Sequence, residues 1–161
     1  MLTLVGCDED QVDTWQPPEL KKELVPLKIV MTDYVFADGG DKFIKFEGSA
    51  EYVVPLNSSS SPDCNKVEKK IHYKKLLRPY LDRKSVRIDK LEILNGERGC
   101  FTSLKNDNER YNELRKDVGK KMGDFAKDES FEKVAMSNAK DAISGFYKKF
   151  GYECVIEWAD K

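Results

Sequence analysis

The sequence predicts an α+β domain in which antiparallel β-strands are followed by two amphipathic helices and a closing C-terminal strand. Three observations lead to this class. The first half of the chain holds runs of β-branched and aromatic residues, the second half repeats apolar residues every three or four positions, and the last residues alternate. With 161 residues, 40% of them hydrophobic, one domain can bury a core without help from metals or disulfides.

Residues 28–36 and 42–56 predict a β-hairpin at the start of this domain. Asp38-Gly39-Gly40-Asp41 between them is a turn sequence, and Gly48 indicates a bulge or bend in the second strand. The turn lacks the spaced oxygen ligands of a calcium loop, so we expect no metal there. Residues 57–65 are loop by composition.

The middle of the chain predicts shorter elements. Residues 67–73 alternate in part and indicate a strand, whereas residues 76–81 predict a helical turn restricted by Pro79. Apolar residues then occupy alternate positions over 86–88 and again over 91–93, but even positions in the first stretch and odd positions in the second. A bulge or a two-residue turn at Asp89-Lys90 is therefore expected.

Two helices and a strand complete the prediction. The apolar stripe of the first helix is formed by Tyr111, Leu114, Val118, Met122 and Phe125. Its two glycines, Gly119 and Gly123, lower helix propensity but allow the close approach of a neighbouring backbone. The second helix is expected to begin with Ser130 as its cap and to stop at Gly151, before the strand 152–158. Its predicted apolar face comprises Phe131, Ala135, Ala139, Ala142, Phe146 and Phe150, widened by Ile143 and Tyr147.

Residues 66–90 form a basic segment, with 10 basic and 3 acidic side chains in a chain whose net charge is −1. Such a segment could bind anions or nucleic acid. The favoured interpretation is a solvated face, because no RNA-binding signature or zinc-finger spacing accompanies it, and no nucleic-acid partner is expected. The candidate anion-binding side chains are Lys69, Lys70, Lys74, Lys75 and Arg78.

Catalytic motifs are not found in the sequence. His72 is the one histidine, it is expected at the surface, and a nucleophilic mechanism would need a serine, Cys64, Cys100 or Cys154 beside it. Glu153 and Glu157 could act as paired carboxylates but are more simply solvent-facing strand residues. No phosphate-binding loop or zinc-ligand spacing is present, so a non-enzymatic protein without cofactor or metal is expected. The alternative is a small hydrolase with an unrecognised site.

The N-terminus carries the clearest functional signal. Leu4-Val5-Gly6-Cys7 resembles the lipobox of bacterial lipoproteins, in which the cysteine carries the lipid, and acidic residues follow Cys7 directly. We therefore expect residues 1–7 to be a truncated lipoprotein signal, 8–26 a polar tether, and 27–161 the single α+β domain. Trp15 in the tether could dock on the domain or be exposed. The expected location is the cell envelope, at the outer membrane or cell surface, with a cytoplasmic protein as the alternative.

Two stretches resemble the DUF4230 family of uncharacterised bacterial proteins. One runs from Ile71 to Leu77 and continues through Ser85–Ile88 and Leu91–Leu94, and the other runs from Ala139 to Trp158. The resemblance would cover residues 27–158. It implies an envelope-associated protein with no assigned reaction, and it transfers no catalytic residue.

Overall fold

The computed structural model describes residues 15–20, 23–37, 42–56, 61–95 and 108–161, and within them it confirms the α+β class. Strands precede two helices, and a strand closes the chain. The elements are β1 (Leu24–Ala37), β2 (Lys42–Val54), β3 (Asp63–Asn65), β4 (Lys70–Leu76), β5 (Tyr80–Asn95), α1 (Asn108–Ala126), α2 (Glu129–Lys148) and β6 (Glu153–Trp158).

Three long strands form an antiparallel sheet in the order β1-β2-β5, here called the long sheet. The predicted hairpin is therefore confirmed, although its Asp38–Asp41 turn lies outside the described residues. Strand β1 begins at Leu24. Pro17 is buried and Leu20 packs on the core, so ordered structure reaches into the segment assigned to the tether.

The pairing of β2 with β5 in the long sheet contains register shifts, at which the alternation of side chains between the two faces changes. Glu47 pairs with Lys90 and Gly48 pairs with Ile88, which leaves Asp89 as an extra residue in β5. This bulge lies where the sequence changes phase, and β5 continues through it as one strand. The predicted irregularity at Gly48 is therefore found in the pairing of β2 with β5, but its extra residue lies in β5 rather than in the second strand.

A second sheet, here called the small sheet, has the order β3-β4-β6, with β6 parallel to β4. The loop prediction for residues 63–65 is wrong, because β3 pairs with β4 there. Strand β4 begins at Lys70 rather than at residue 67, since the Asn65 side chain accepts hydrogen bonds from the backbone N–H groups of Val67 and Glu68 and closes a turn.

The predicted helical turn at residues 76–81 is also wrong. Lys75 has a left-handed φ of 58°, which bulges β4 so that Leu76 returns to the buried face and pairs with Trp158. Pro79 fixes its own φ and favours an extended residue before it. The chain therefore passes extended from β4 into β5.

Helix α1 packs on the long sheet. Val118 and Met122 are fully buried, as the stripe predicted, whereas the side chains of Tyr111 and Leu114 lie outside the described residues. Ala126 is buried in place of Phe125, whose side chain is 42% exposed. An ion pair of 2.7 Å between Lys121 Nζ and Asp33 Oδ2 fastens α1 to β1.

Helix α2 covers both sheets. Its N-cap is Asp128 rather than Ser130, because the Asp128 carboxylate accepts the Ser130 backbone N–H at 2.8 Å. Gly151 stops the helix region with a φ of 78°, as predicted. Ala142, placed on the predicted face, is exposed, while the buried residues are Ala135, Ala139, Ile143 and Tyr147.

The core consists of two clusters joined under α2. One lies between the long sheet and the helix pair and includes Ile29, Tyr52 and Met122. The other lies between α2 and the small sheet and includes Tyr73 and Tyr147, whose hydroxyl oxygens are 2.8 Å apart. Because α2 belongs to both clusters, the helix couples the two sheets.

No described part of the chain packs against the glycines of α1. A Cβ atom at Gly119 or Gly123 would meet nothing within 4 Å among the described residues, so the close approach that these glycines allow is not used there. We expect Gly119→Ala and Gly123→Ala each to raise the free energy of unfolding by about 1 kcal/mol, because alanine restricts the unfolded chain and favours helix. Urea denaturation of each variant measures the change in the free energy of unfolding.

The matched control for this prediction is Gly151→Ala. Gly151 also has open space around it, but its left-handed φ of 78° disfavours a side chain. This substitution should lower the free energy of unfolding by about 1 kcal/mol. Destabilisation by alanine at Gly119 or Gly123 would contradict the open environment of α1.

Candidate functional site

One end of the small sheet gathers exposed aromatic and basic side chains from three separate parts of the chain. Trp15 leads into the domain and places its ring 5.9 Å from that of Phe150 and 6.3 Å from that of Tyr152. The Trp15 side chain remains 51% exposed. It is therefore both docked on the domain and open to its surroundings, which combines the two alternatives drawn from the sequence.

The β3–β4 turn lies at the same end. The Lys69 carbonyl accepts a hydrogen bond of 2.9 Å from the backbone N–H of Glu153, which directly follows Tyr152. Val67 at the tip of this turn is 95% exposed. Lys69 itself takes a left-handed φ of 51°, which turns the chain back into β4.

The C-terminus of α2 completes this end. Lys148 and Lys149 are exposed, and neither forms an ion pair with a described residue. We call the surface formed by Trp15, Val67, Lys69, Lys148 and Lys149 the basic–aromatic end. It mixes lysines, which attract anions, with apolar groups that water solvates poorly.

Acidic side chains lie near the basic–aromatic end but do not outnumber its lysines. Glu68 lies 3.8 Å from the Nζ of Lys70, and Glu19 and Glu153 are exposed. The lysines of this end and of the adjoining turn and strand are Lys66, Lys69, Lys70, Lys148 and Lys149, and the carboxylates are Glu19, Glu23, Glu68, Asp141 and Glu153. Lysines and carboxylates are therefore equal in number here, and Lys148 and Lys149 differ from ion-paired lysines in having no carboxylate of a described residue within ion-pair distance.

The predicted anion-binding set is divided by the fold. Lys69 and Lys70 lie at the basic–aromatic end, whereas Lys74, Lys75 and Arg78 lie toward the opposite end of β4. The members that lie on β4, Lys70, Lys74 and Lys75, are all exposed. The five side chains therefore do not form one surface.

Besides Lys70, which lies 3.8 Å from Glu68, two members of that set have acidic partners within the protein. Lys74 Nζ lies 2.7 Å from an Asp63 carboxylate oxygen, and the hydrogen bond from Lys74 lowers the pKa of Asp63. Arg78 donates to the Ala159 carbonyl at 2.8 Å and lies 3.7 Å from Glu132. Arg78 therefore ties the C-terminus to α2 rather than offering a free guanidinium.

His72 lies on the outer face of the small sheet, where it pairs with Asp63 on β3 and Val155 on β6. Its Nε2 is 3.2 Å from a Glu157 carboxylate oxygen, but the alignment is not that of a hydrogen bond. Glu153 and Glu157 are exposed on this face of β6, as solvent-facing strand residues are expected to be.

The two described cysteines lie on the other face of the small sheet. Cys64 and Cys154 both pair with Ile71, one residue before His72, and side chains alternate between faces along a strand. The imidazole and these two thiols are therefore separated by the sheet. Cys100 lies outside the described residues, as does Cys7.

The cysteines differ in exposure and are both free thiols. Burial raises the pKa of the Cys154 thiol to about 11, while Cys64 is exposed on the short strand β3. Thiolate is the reactive form, so we expect a thiol reagent at neutral pH to modify Cys64 at least about tenfold faster than Cys154.

This difference is measured by mass spectrometry of the native protein over time. Cys64→Ser should remove the fast-reacting site, and Cys154→Ser should leave it unchanged. In urea the rates at the two thiols should converge, because the unfolded chain exposes both. Faster modification of Cys154 in the native protein would contradict its burial.

An apolar groove of about 480 Å³ runs between α2 and the segment that enters β1. Leu20, Leu24 and Leu56 line one wall, and Ile143 and Phe146 line the other. Gly145 leaves the groove open at the helix surface, since nothing lies within 4 Å of the place a Cβ would take. Glu23, Asp141 and Lys149 stand around it.

Two further properties bear on the kind of site. Among the described residues, no group of three His, Cys, Asp or Glu side chains is arranged to hold a metal ion. In the same part of the chain, neither helix has a long enough apolar stretch to cross a bilayer.

The fold and this surface define an α+β domain whose most distinctive exposed region is a lysine-rich end bearing a tryptophan. The chain belongs to the family described as "Protein of unknown function (DUF4230)", whose sequence profile matches residues 17–158. This confirms the family resemblance, and the match begins ten residues before the expected start at residue 27. No curated protein and no solved structure matches the chain.

The sequence did not single out Lys148, Lys149 or Val67 as functional residues. Each is unremarkable in its own segment, because a lysine at a helix end or an apolar residue in a turn has many structural explanations. A signal existed in Trp15, an amphipathic aromatic residue in an otherwise polar stretch. Only the fold brings it beside the lysines.

Proposed function

We propose that this protein is a lipid-anchored protein of the bacterial cell envelope that acts by binding rather than by catalysing a reaction. The observation that carries the proposal is the sequence Leu4-Val5-Gly6-Cys7, with acidic residues directly after the cysteine. Small residues before a cysteine suit a signal peptidase, and a diacylated cysteine supplies the two chains that stable anchoring requires. The outer membrane or the cell surface is the proposed location.

The binding role draws support from the surface of the domain. The basic–aromatic end and the apolar groove beside α2 offer exposed charge and apolar area for contacts with a partner. The rival role as a hydrolase draws less support, because His72 lies across the small sheet from Cys64 and Cys154. A nucleophile and its base must lie within hydrogen-bonding reach.

The test is fractionation of cells that express the gene with a complete lipoprotein signal ahead of Cys7. The wild type should remain in the membrane fraction after a high-salt wash and incorporate labelled palmitate. Cys7→Ala should abolish the label and release the protein in high salt. Cys64→Ala is the matched control and should behave as the wild type does.

Recovery of unlabelled wild-type protein from the cytosol, with its first methionine intact, would overturn the anchoring proposal. Binding rather than catalysis is tested separately. The purified protein and the variant His72→Gln are compared across a panel of ester, amide and phosphoester substrates. Turnover that depends on His72 would favour the hydrolase instead.

A further inference from the structure

We infer that the basic–aromatic end is a membrane-docking surface that rests on a bilayer containing anionic phospholipid. Trp15 and Val67 would enter the headgroup region, and Lys69, Lys148 and Lys149 would lie against the negatively charged headgroups. This inference deepens the proposed function, on which it rests for the presence of a membrane nearby. Four observations on the described residues support it.

The first observation is the position of Trp15. Trp15 lies eight positions after Cys7, so even a fully extended chain places them no more than about 28 Å apart. Trp15 is docked on Phe150 and Tyr152 rather than free of the domain. A lipid on Cys7 would therefore keep this end of the domain within that distance of the bilayer surface.

The second observation is the chemistry of the exposed apolar groups. The Trp15 ring is amphipathic and half exposed, and tryptophan favours the membrane–water interface. Val67 is 95% exposed at the tip of a turn that projects from the same end of the small sheet. An apolar side chain in that position has no packing role within the described part of the protein.

The third observation is the set of uncompensated lysines. Lys148 and Lys149 form no ion pair with a described residue, unlike Lys74, Lys90 and Lys121, which have carboxylates at 2.7 Å. Lysine near an anionic membrane surface is attracted to it, and the attraction decays over about 10 Å at moderate salt. The two lysines are therefore available to headgroups.

The fourth observation is the distribution of charge over the rest of the domain. On the outer face of the long sheet, neighbouring charges along β5 are of opposite sign, with Arg87 2.9 Å from Asp89 and Lys90 2.7 Å from Glu92. The fields of such pairs cancel. In contrast to this face of β5, the basic–aromatic end combines lysines that have no ion pair with an exposed tryptophan and an exposed valine.

The experiment uses the full 161-residue chain without any acyl group, so it does not depend on the state of Cys7. Sedimentation measures binding to vesicles of phosphatidylcholine and phosphatidylglycerol in about equal amounts, with pure phosphatidylcholine vesicles as the neutral comparison. We expect binding to the mixed vesicles, weakening with salt, and little binding to the neutral ones.

The discriminating variant is Lys148→Gln with Lys149→Gln, which should weaken binding to the mixed vesicles by about tenfold or more. The matched control is Lys133→Gln with Lys140→Gln. These lysines are exposed on the same helix, have no acidic partner among the described residues, and give the same change in net charge. The control should bind as the wild type does.

A second variant addresses the turn. Val67→Glu changes a residue that is almost fully exposed, so the fold should tolerate it, yet it adds a negative charge and removes an apolar contact. We expect weaker vesicle binding with an unchanged thermal unfolding midpoint. Trp15 fluorescence, read in a Trp158→Phe background, should shift to shorter wavelength on adding mixed vesicles.

Equal losses in the two double-lysine variants would overturn the inference, because they would indicate a response to net charge alone. Failure to bind mixed vesicles would overturn it as well. Comparable affinity for a duplex oligonucleotide at the same salt would identify a general polyanion surface instead. None of these outcomes bears on the palmitate labelling of Cys7, so the docking surface and the lipid anchor can fail separately.

Discussion

Gly48→Val should lower the free energy of unfolding by about 2–3 kcal/mol. Gly48 is buried at the centre of the long sheet, and a Cβ there would lie 3.0 Å from the Sδ of Met122 and 3.3 Å from the carbonyl oxygen of Arg87. The Met122 side chain is fully buried between α1 and the long sheet, so moving aside would disturb the residues packed around it. The added methyl groups must displace either the helix or the Asp89 bulge.

Urea denaturation of three variants separates this steric cause from a backbone effect. Gly145→Val serves as the matched control, because nothing lies within 4 Å of its Cβ position, and it should change stability by less than about 0.5 kcal/mol. Met122→Ala should cost about 2–4 kcal/mol alone and clearly less in the Gly48→Val background, where the truncated side chain makes room. Additive losses would contradict the proposed contact between residues 48 and 122.

This contact illustrates which part of the fold could be predicted from the sequence. The stripe containing Met122 follows from helical spacing, and the bulge near Gly48 follows from a phase change. Both signals are local. That the methionine lies on the glycine is a tertiary fact, because 74 positions of chain separate the two and nothing local specifies their meeting.

The wrong predictions also concern structure that depends on contacts or on neighbouring residues outside the local pattern. Asp63-Cys64-Asn65 has no apolar alternation, and it is a strand only because β4 supplies its hydrogen-bond partners. The pair Leu76-Leu77 suggested a helix because the bulge at Lys75 disturbs the two-residue period. The helix cap was misplaced by two positions because Asp128 and Ser130 are both good capping residues.

The candidate site was less predictable than the fold. A basic segment is visible in the sequence, but in the fold Lys74 pairs with Asp63 and Arg78 pairs with Glu132. Only the first lysines of the segment lie at the basic–aromatic end. The other contributors come from residue 15 and from the end of α2. A surface assembled from three distant segments leaves no continuous pattern along the chain.

The second prediction concerns the tyrosine pair that joins α2 to the small sheet. Tyr73 and Tyr147 are almost completely buried, and their hydroxyl oxygens lie 2.8 Å apart. Leu20, in the segment that enters β1, packs on the same cluster, so the tyrosine pair lies where the entering segment, the helix and the small sheet meet. A buried polar group that loses its partner costs about 1–3 kcal/mol.

We therefore expect similar losses from two substitutions that each remove one hydroxyl of the pair. Tyr73→Phe and Tyr147→Phe should each lower the free energy of unfolding by about 1–2 kcal/mol, because each leaves the other hydroxyl buried without its partner. The double variant should lose little more than either single variant, since each single loss already includes the cost of the unpaired partner. Single losses that add in the double variant would contradict this hydrogen bond.

The same pair predicts how stability depends on alkaline pH. Burial, together with the hydrogen bond between the Tyr73 hydroxyl and that of Tyr147, raises the pKa of Tyr73 above its ordinary value of 10.0, and burial also raises the pKa of Tyr147. A raised pKa in the folded state favours the neutral phenol, so this contribution is fully present below about pH 10 and is lost as the pH rises above the unfolded value. The protein should therefore lose stability on going from about pH 9 to about pH 11.

The double Tyr→Phe variant should lose less stability over that pH interval, whereas Tyr80→Phe, at an exposed tyrosine, should follow the wild type. If all three proteins lost stability in parallel, ionisation of the buried pair would not be the cause, and the link between α2 and the small sheet would have to rest on apolar packing alone.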